Sequence, residues 1–264
     1  MPDRLSALDV SFFYLEEETT PMHVGEMLIF QAPDSGFDYD RLVKLISERI
    51  ALAPRYRQRV KPVPGNLASP VWVDDHKFDV TYHVRRSALP RPGTDAQLQE
   101  LTARVMARPL DKSRPLWEMY LVEGLKGHRF AILTKSHHAI VDGIMSVDIG
   151  QVILDDAPTA DLEGTQIWRP SREPSQLSLL VNAAGDQIRS PAVAVSSVRR
   201  GITDVTSAVT SVGRQTLGLV SAAVSVARSP AAGPTNFEIS EQRRFAMANL
   251  KLSDFKAVRA AHGG

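Results

Sequence analysis

The residues of this chain best suited to chemistry are His137-His138-Ala139-Ile140-Val141-Asp142-Gly143. An imidazole has an unperturbed pKa of ~6.5, so a positioned histidine can take and return a proton near neutral pH. An aspartate four residues after the second histidine can turn back across a tight loop and support it. Gly143 lets the backbone bend closely before a helix begins, and the N-terminus of that helix favours nearby negative charge. The chain has no cysteine, which removes a thiolate nucleophile, a zinc ribbon and an iron–sulfur cluster from consideration. No metal site is expected at the histidine pair. Adjacent side chains on a strand point to opposite faces, and no HExxH or carboxylate-rich partner accompanies them. The bland reading is a structural histidine pair capping a strand.

The pair needs a strand before it and a helix after it, and the pattern supplies both. Phe130–Thr134 is a continuous apolar run of the kind found in a buried central strand. It returns from Trp117–Val122 through a turn at Gly124–His128, so an antiparallel pair is predicted. Beyond Gly143, Met145, Ile149, Val152 and Ile153 recur at helical spacing. Upstream, Met27–Phe30, Val71–Val73 and Tyr82–Val84 read as short strands, with an acidic turn at Asp74-Asp75 between the last two. Leu42, Leu45, Ile46 and Ile50 predict a helix stopped by Pro54. Thr94 with Gln97 predicts a capping box opening a helix with Leu98, Leu101 and Val105 on one face, closed by Pro109. Residues 1–170 therefore read as one mixed α/β domain.

Composition changes after about residue 155. Residues 155–174 read as a linker rich in Asp, Pro and Thr. Residues 176–228 are dominated by Ser, Ala and Val, carry a net charge of +3 and predict amphipathic helices broken near Ser190-Pro191. Such a segment packs as a helical arm or touches a lipid surface through its arginines. A second linker covers 229–234. Mixed content resumes after it, with a helix starting at Leu252-Ser253-Asp254-Phe255 and Ser253 or Asp254 as its cap. The domain reading is 1–170, an arm over 171–234, and the start of a further domain over 235–264.

The 264 residues carry a formal net charge of +1, which argues against a nucleic-acid partner bound through bulk positive charge. No apolar signal segment follows Met1, and no run approaches the ~20 apolar residues that a membrane-spanning helix needs. A cytoplasmic protein is expected. His23, His76, His83, His128 and His262 have no partner spacing and read as surface or satisfied residues. Glu16-Glu17-Glu18 reads as a solvated acidic edge.

HHxxxDG resembles the signature of the CoA-dependent acyltransferase superfamily that includes chloramphenicol acetyltransferase and peptide-synthetase condensation domains. Leu5-Ser6-Ala7-Leu8-Asp9, Trp72-Val73-Asp74-Asp75, Pro115-Leu116-Trp117-Glu118 and Ala131-Ile132-Leu133-Thr134-Lys135 narrow the resemblance. Together they are similar to the N-terminal half of the bacterial wax ester synthase/diacylglycerol acyltransferase family. The resemblance implies an α/β acyltransferase sandwich and transfer of a long acyl chain from acyl-CoA, as substrate, to diacylglycerol or a long-chain alcohol. It implies no resident cofactor, His138 as general base, and supporting roles for His137, Asp142 and Gly143. Pro115, Leu116 and Trp117 either shape a substrate pocket or, equally, place a core tryptophan at a strand start. The resemblance also implies a partner in the family's C-terminal half, possibly a separate chain, and peripheral association with membrane or lipid bodies. Two rivals share these residues: a condensation-type catalyst acting on carrier-bound thioesters, and a non-catalytic lipid-binding relative.

Overall fold

The computed structural model describes residues 2–34, 36–141, 168–189 and 239–262, without the side chains of 184–189. In chain order the elements are α1 (Ala7–Leu15), β1 (His23–Gln31), α2 (Tyr39–Arg49), β2 (Gln58–Lys61), β3 (Val71–Asp74), α3 (Val80–His83) and β4 (Val84–Ala88). They continue with α4 (Asp95–Ala107), β5 (Trp117–Leu125), β6 (Arg129–His137), α5 (His138–Val141), α6 (Gln176–Arg189) and α7 (Leu252–His262). Short 3-10 turns fill Ile50–Leu52, Pro54–Arg57 and Pro64–Asn66. The mixed α/β class read from the pattern is the one observed.

Four strands form one sheet in the order β1-β6-β5-β4, and β2 and β3 form a separate antiparallel pair. β6 is central, antiparallel to both β1 and β5, while β4 runs parallel to β5. The β5–β6 sequence is apolar on both faces because helices cover both. On one face, Leu42 and Ile46 of α2 join Trp117, Met119, Leu121 and Ile132 in one core. On the other, Leu98 and Val105 of α4 join Tyr120, Val122, Ala131 and Leu133. Each such fully buried side chain contributes ~1.5–3 kcal/mol.

Local chemistry explains the helix starts. Ser6 Oγ accepts from the Asp9 amide while the Asp9 carboxylate accepts from the Ser6 amide, both at 3.1 Å. Thr94 and Gln97 do the same for α4, as the spacing predicted. Lys135, fully buried on the α4 side of β6, donates from Nζ to the Val105 carbonyl at 3.0 Å and to the Arg108 carbonyl. The Val105 carbonyl also accepts from the Arg108 amide at 3.4 Å, so the lysine adds a charged donor to the end of α4 from the sheet.

Three expectations need correction. Tyr82 and His83 belong to α3, because the Asp79 carboxylate accepts from the Thr81 amide and hydroxyl at 2.9 and 2.7 Å and winds this stretch into a turn; the strand starts at Val84. α7 starts at Leu252, ahead of both proposed caps, and Ser253 Oγ bonds the Asp254 carboxylate instead. β6 passes directly into α5 at His138, with no loop between. β1 also extends beyond Met27–Phe30, since its length is set by pairing with β6 along nine positions. Residues 168–174 lack regular structure yet are tied down. Ser171 bonds Asp74, and Glu173 pairs with Arg59 and Lys61 at 2.7 Å each. α6 seats Leu179 and Ala183 against Val63, Val71 and Val73 and ends one residue before Ser190. The helical spacing of Met145–Ile153 and the segment 190–238 lie outside the described residues.

Candidate active site

β6 delivers the histidine pair to one end of the sheet, and backbone bonds fix both residues there. The His137 amide donates to the Leu116 carbonyl and the His138 amide to the Met22 carbonyl, each at 3.0 Å. The His137 ring is completely buried. Its Nδ1 accepts from the Ala139 amide at 3.0 Å, so the neutral ring carries its proton on Nε2. Burial, above all, holds its pKa down to about 4, and the ring is uncharged at neutral pH. His138 behaves differently: it is partly exposed, and its ring stacks on Phe12 of α1 with centroids 5.1 Å apart. Two adjacent imidazoles thus have different work. One is sealed in the structure, and the other is partly exposed.

The ring of His137 meets a charge that was read as solvent-facing. The side chain of Glu16 is only 3% exposed, and its Oε2 lies 2.7 Å from Lys112 Nζ and 3.8 Å from His137 Nε2. Its Oε1 accepts from the Met22 amide at 3.1 Å. Glu17 and Glu18 are exposed, as expected; Glu16 is not, because α1 folds back over the end of β6. Lys112 also donates to the Phe13 carbonyl at 3.1 Å and sits 4.6 Å from the Phe13 ring centre. An ion pair with a buried carboxylate and a partly exposed lysine therefore staples α1, the approach to β5 and the histidine pair together.

Pro115, Leu116 and Trp117 are buried against this site. Trp117 Nε1 donates to the Tyr56 carbonyl at 2.7 Å. Its own carbonyl bonds His83 Nδ1 at 2.8 Å, and the His83 ring stacks on the indole at 4.7 Å. Leu116 acts through its carbonyl, which holds His137. These contacts suit the core-tryptophan reading and connect the motif to the histidines through the backbone. His83 is the satisfied, buried histidine foreseen; His23 is buried too, but its Nδ1 has no hydrogen-bond partner among the described residues. His23 bonds the Met106 carbonyl through Nε2 at 2.9 Å. Asp142 and Gly143 lie outside the described residues. Among the described residues, no group of three His, Asp or Glu could hold a metal ion.

Phe12, Glu16, Met22 and Lys112 complete the site without any sequence motif announcing them. One signal was present: Ser6 and Asp9 fix the start of α1 and hence which of its residues reach the histidines.

A sequence model of the wax ester synthase/diacylglycerol acyltransferase catalytic domain matches residues 5–264. The chain belongs to this family. A relative in Mycobacterium tuberculosis, named probable diacyglycerol O-acyltransferase tgs3, is 47% identical over 99% of this chain and 97% of its own length. A second from that organism, probable diacyglycerol O-acyltransferase tgs1, is 33% identical over 97% of this chain but 52% of itself. The chain thus spans about half the length of the longer curated relatives. The solved wax ester synthase/diacylglycerol acyltransferase of Marinobacter aquaeolei VT8 is 35% identical, with a TM-score of 0.47 over 53% of this chain and 35% of that one.

Proposed function

We propose that this chain is the histidine-bearing part of an O-acyltransferase that moves a long acyl group from acyl-CoA to the hydroxyl of diacylglycerol or a long-chain alcohol. His138 takes the hydroxyl proton as the oxygen attacks the thioester carbonyl. The tetrahedral oxyanion collapses, the C–S bond breaks, and the proton passes to the departing CoA thiolate. The products are triacylglycerol or wax ester and free CoA. No acyl-enzyme and no resident cofactor enter this scheme. His137, with its ring sealed beside Glu16, is a positioning residue.

The observation that carries the reading is the division between the two imidazoles. His137 is wholly buried with Nδ1 engaged, so the partly exposed His138 is the one left to meet a substrate. Family membership supports the reaction class, and the names of the mycobacterial relatives support diacylglycerol as acceptor. Among the described residues, no helix is long and apolar enough to cross a membrane. We place the protein at the cytoplasmic surface of membrane or lipid bodies.

The test is CoA release from palmitoyl-CoA with dioleoylglycerol or hexadecanol, comparing the wild type and His138→Ala with the complete gene product and any partner chain present. Loss of a general base lowers turnover ~10²–10⁴-fold. Release that is independent of acceptor, or unchanged by the substitution, rejects the proposal.

A further inference from the structure

The segment Leu5-Ser6-Ala7-Leu8-Asp9 has no part in the acyl-transfer scheme, yet several contacts fix it in place. The Leu5 side chain is buried. Its amide donates to the Pro70 carbonyl at 2.9 Å, and the Trp72 amide donates to the Asp3 carbonyl at 2.8 Å. These bonds dock the chain beside β3, and the Ser6–Asp9 capping box then starts α1 at a fixed point. From a fixed start, the helical repeat decides what meets the end of β6. Residues three and four apart share a helix face, so Phe12, Phe13 and Glu16 fall on the side that carries the contacts to the histidines.

Each phenylalanine takes one imidazole. Phe13 meets the His137 ring edge-on, with centroids 6.0 Å apart and 61° between the planes. Phe12 lies close to parallel with the His138 ring, with 27° between the planes. That geometry matters because His138 opens α5. A helical backbone restricts its χ1, but χ2, a torsion between sp³ and sp² carbons, is broad and has no sharp well of its own. A flat ring stacked on the imidazole removes that freedom, since turning the imidazole out of its plane drives its edge into the Phe12 ring. The backbone is held separately. The His138 amide donates to the Met22 carbonyl at 3.0 Å, and the Met22 amide donates to Glu16 Oε1 at 3.1 Å. Two residues four apart at the end of α1 thus hold the backbone and the ring of one histidine.

We infer that Phe12 is a positioning residue for acyl transfer: its stacked ring sets the direction in which the His138 nitrogens meet the substrate hydroxyl, and the Leu5–Asp9 segment serves to place it. This inference rests on the acyltransferase reading, with His138 as the base. Phe12 touches no reacting atom. It raises the fraction of time that the imidazole stands in line with the O–H bond, and so acts on turnover rather than on substrate binding. The role needs a flat aromatic face and not merely apolar bulk.

The test compares wild type, Phe12→Leu and Phe12→Tyr as the complete gene product with any partner chain present. In CoA release from palmitoyl-CoA with dioleoylglycerol, Phe12→Leu should lower kcat about three- to tenfold. KM for both substrates should stay within about twofold, and Phe12→Tyr, which keeps a flat ring, should retain kcat within about twofold. In a His138→Ala background, Phe12→Leu should have no further effect on the residual release, whereas a purely structural role would lower both backgrounds alike. A second readout needs no turnover. Carbethoxylation of His138 by diethyl pyrocarbonate, followed by peptide mass mapping, should run at least about twofold faster in Phe12→Leu than in wild type. The exposed His76 serves as the unchanged internal reference. Should Phe12→Leu not fold, Phe12→Met supplies the same loss of a flat ring. The inference is overturned by a folded Leu or Met variant with unaltered kcat, by an equal loss in the His138→Ala background, by a Tyr variant as impaired as Leu, or by an unaltered carbethoxylation rate. Absence of acyl transfer by the wild type rejects the proposed reaction instead, and the carbethoxylation rates then decide separately whether Phe12 restrains the ring.

Discussion

Replacing Lys112 with methionine should destabilise the protein by about 2–3 kcal/mol, through the carboxylate it leaves behind. The Glu16 side chain is 3% exposed and its Oε2 lies 2.7 Å from Lys112 Nζ. At that separation and an effective dielectric of about 20, the attraction is about 6 kcal/mol. Desolvation of the buried carboxylate offsets several kcal/mol of it. Lys112 is 38% exposed, so water reaches part of the pair in either variant and reduces the cost further. Glu16→Gln should cost less, about 1–2 kcal/mol, because Lys112 can turn to solvent and the amide oxygen can still accept from Met22. The double variant should cost no more than Lys112→Met alone, giving a coupling of at least about 1–2 kcal/mol. Urea unfolding of all four proteins measures the cycle, and Lys112→Met should lower Tm by roughly 5–10 °C. A coupling below about 0.5 kcal/mol would refute the buried-staple reasoning.

Further outcomes follow from burial. His23 and His137 both titrate at about 4 in the fold, against ~6.5 unfolded. The unfolded chain therefore takes up protons that the native state refuses, and urea midpoints should fall as pH drops from ~6.5 toward 4; His23→Gln should flatten that fall. Lys135 is lowered to about 8 against ~10.4 unfolded, so its contribution to stability should rise between those values, and Lys135→Met should abolish that rise. Trp117→Phe leaves the Tyr56 carbonyl buried without its donor and should cost about 1–3 kcal/mol in denaturant unfolding.

The parts of the fold legible in sequence are those where short-range pattern and burial coincide. β5 and β6 read correctly because a strand covered on both faces must be apolar on both. Thr94 and Gln97 read correctly because a capping box acts within four residues. Tyr82 misled because its β-forming type was outweighed by Asp79, a cap three residues upstream. In the site, His137 and His138 were visible as a motif, but the sorting of their roles was only partly so. Glu16 was hidden in a run of three glutamates whose other two members are exposed, and its partner Lys112 lies 96 residues further along the chain. Nothing local distinguishes a buried carboxylate from its solvated neighbours; only the return of α1 over the sheet does.

The two borders of the four-stranded sheet are protected very differently. β4 is five residues long and carries Arg85 and Arg86, which pair with Glu118 and Glu123 respectively. A short, cationic border repels the backbone of another extended chain. β1 runs nine residues with Glu26 as its lone carboxylate and no lysine or arginine. Among the described strands, then, growth of this sheet by an incoming strand is favoured on the β1 side, next to the histidines, and discouraged on the β4 side. Self-association through strand pairing, where it occurs, should therefore compete directly with access to the site.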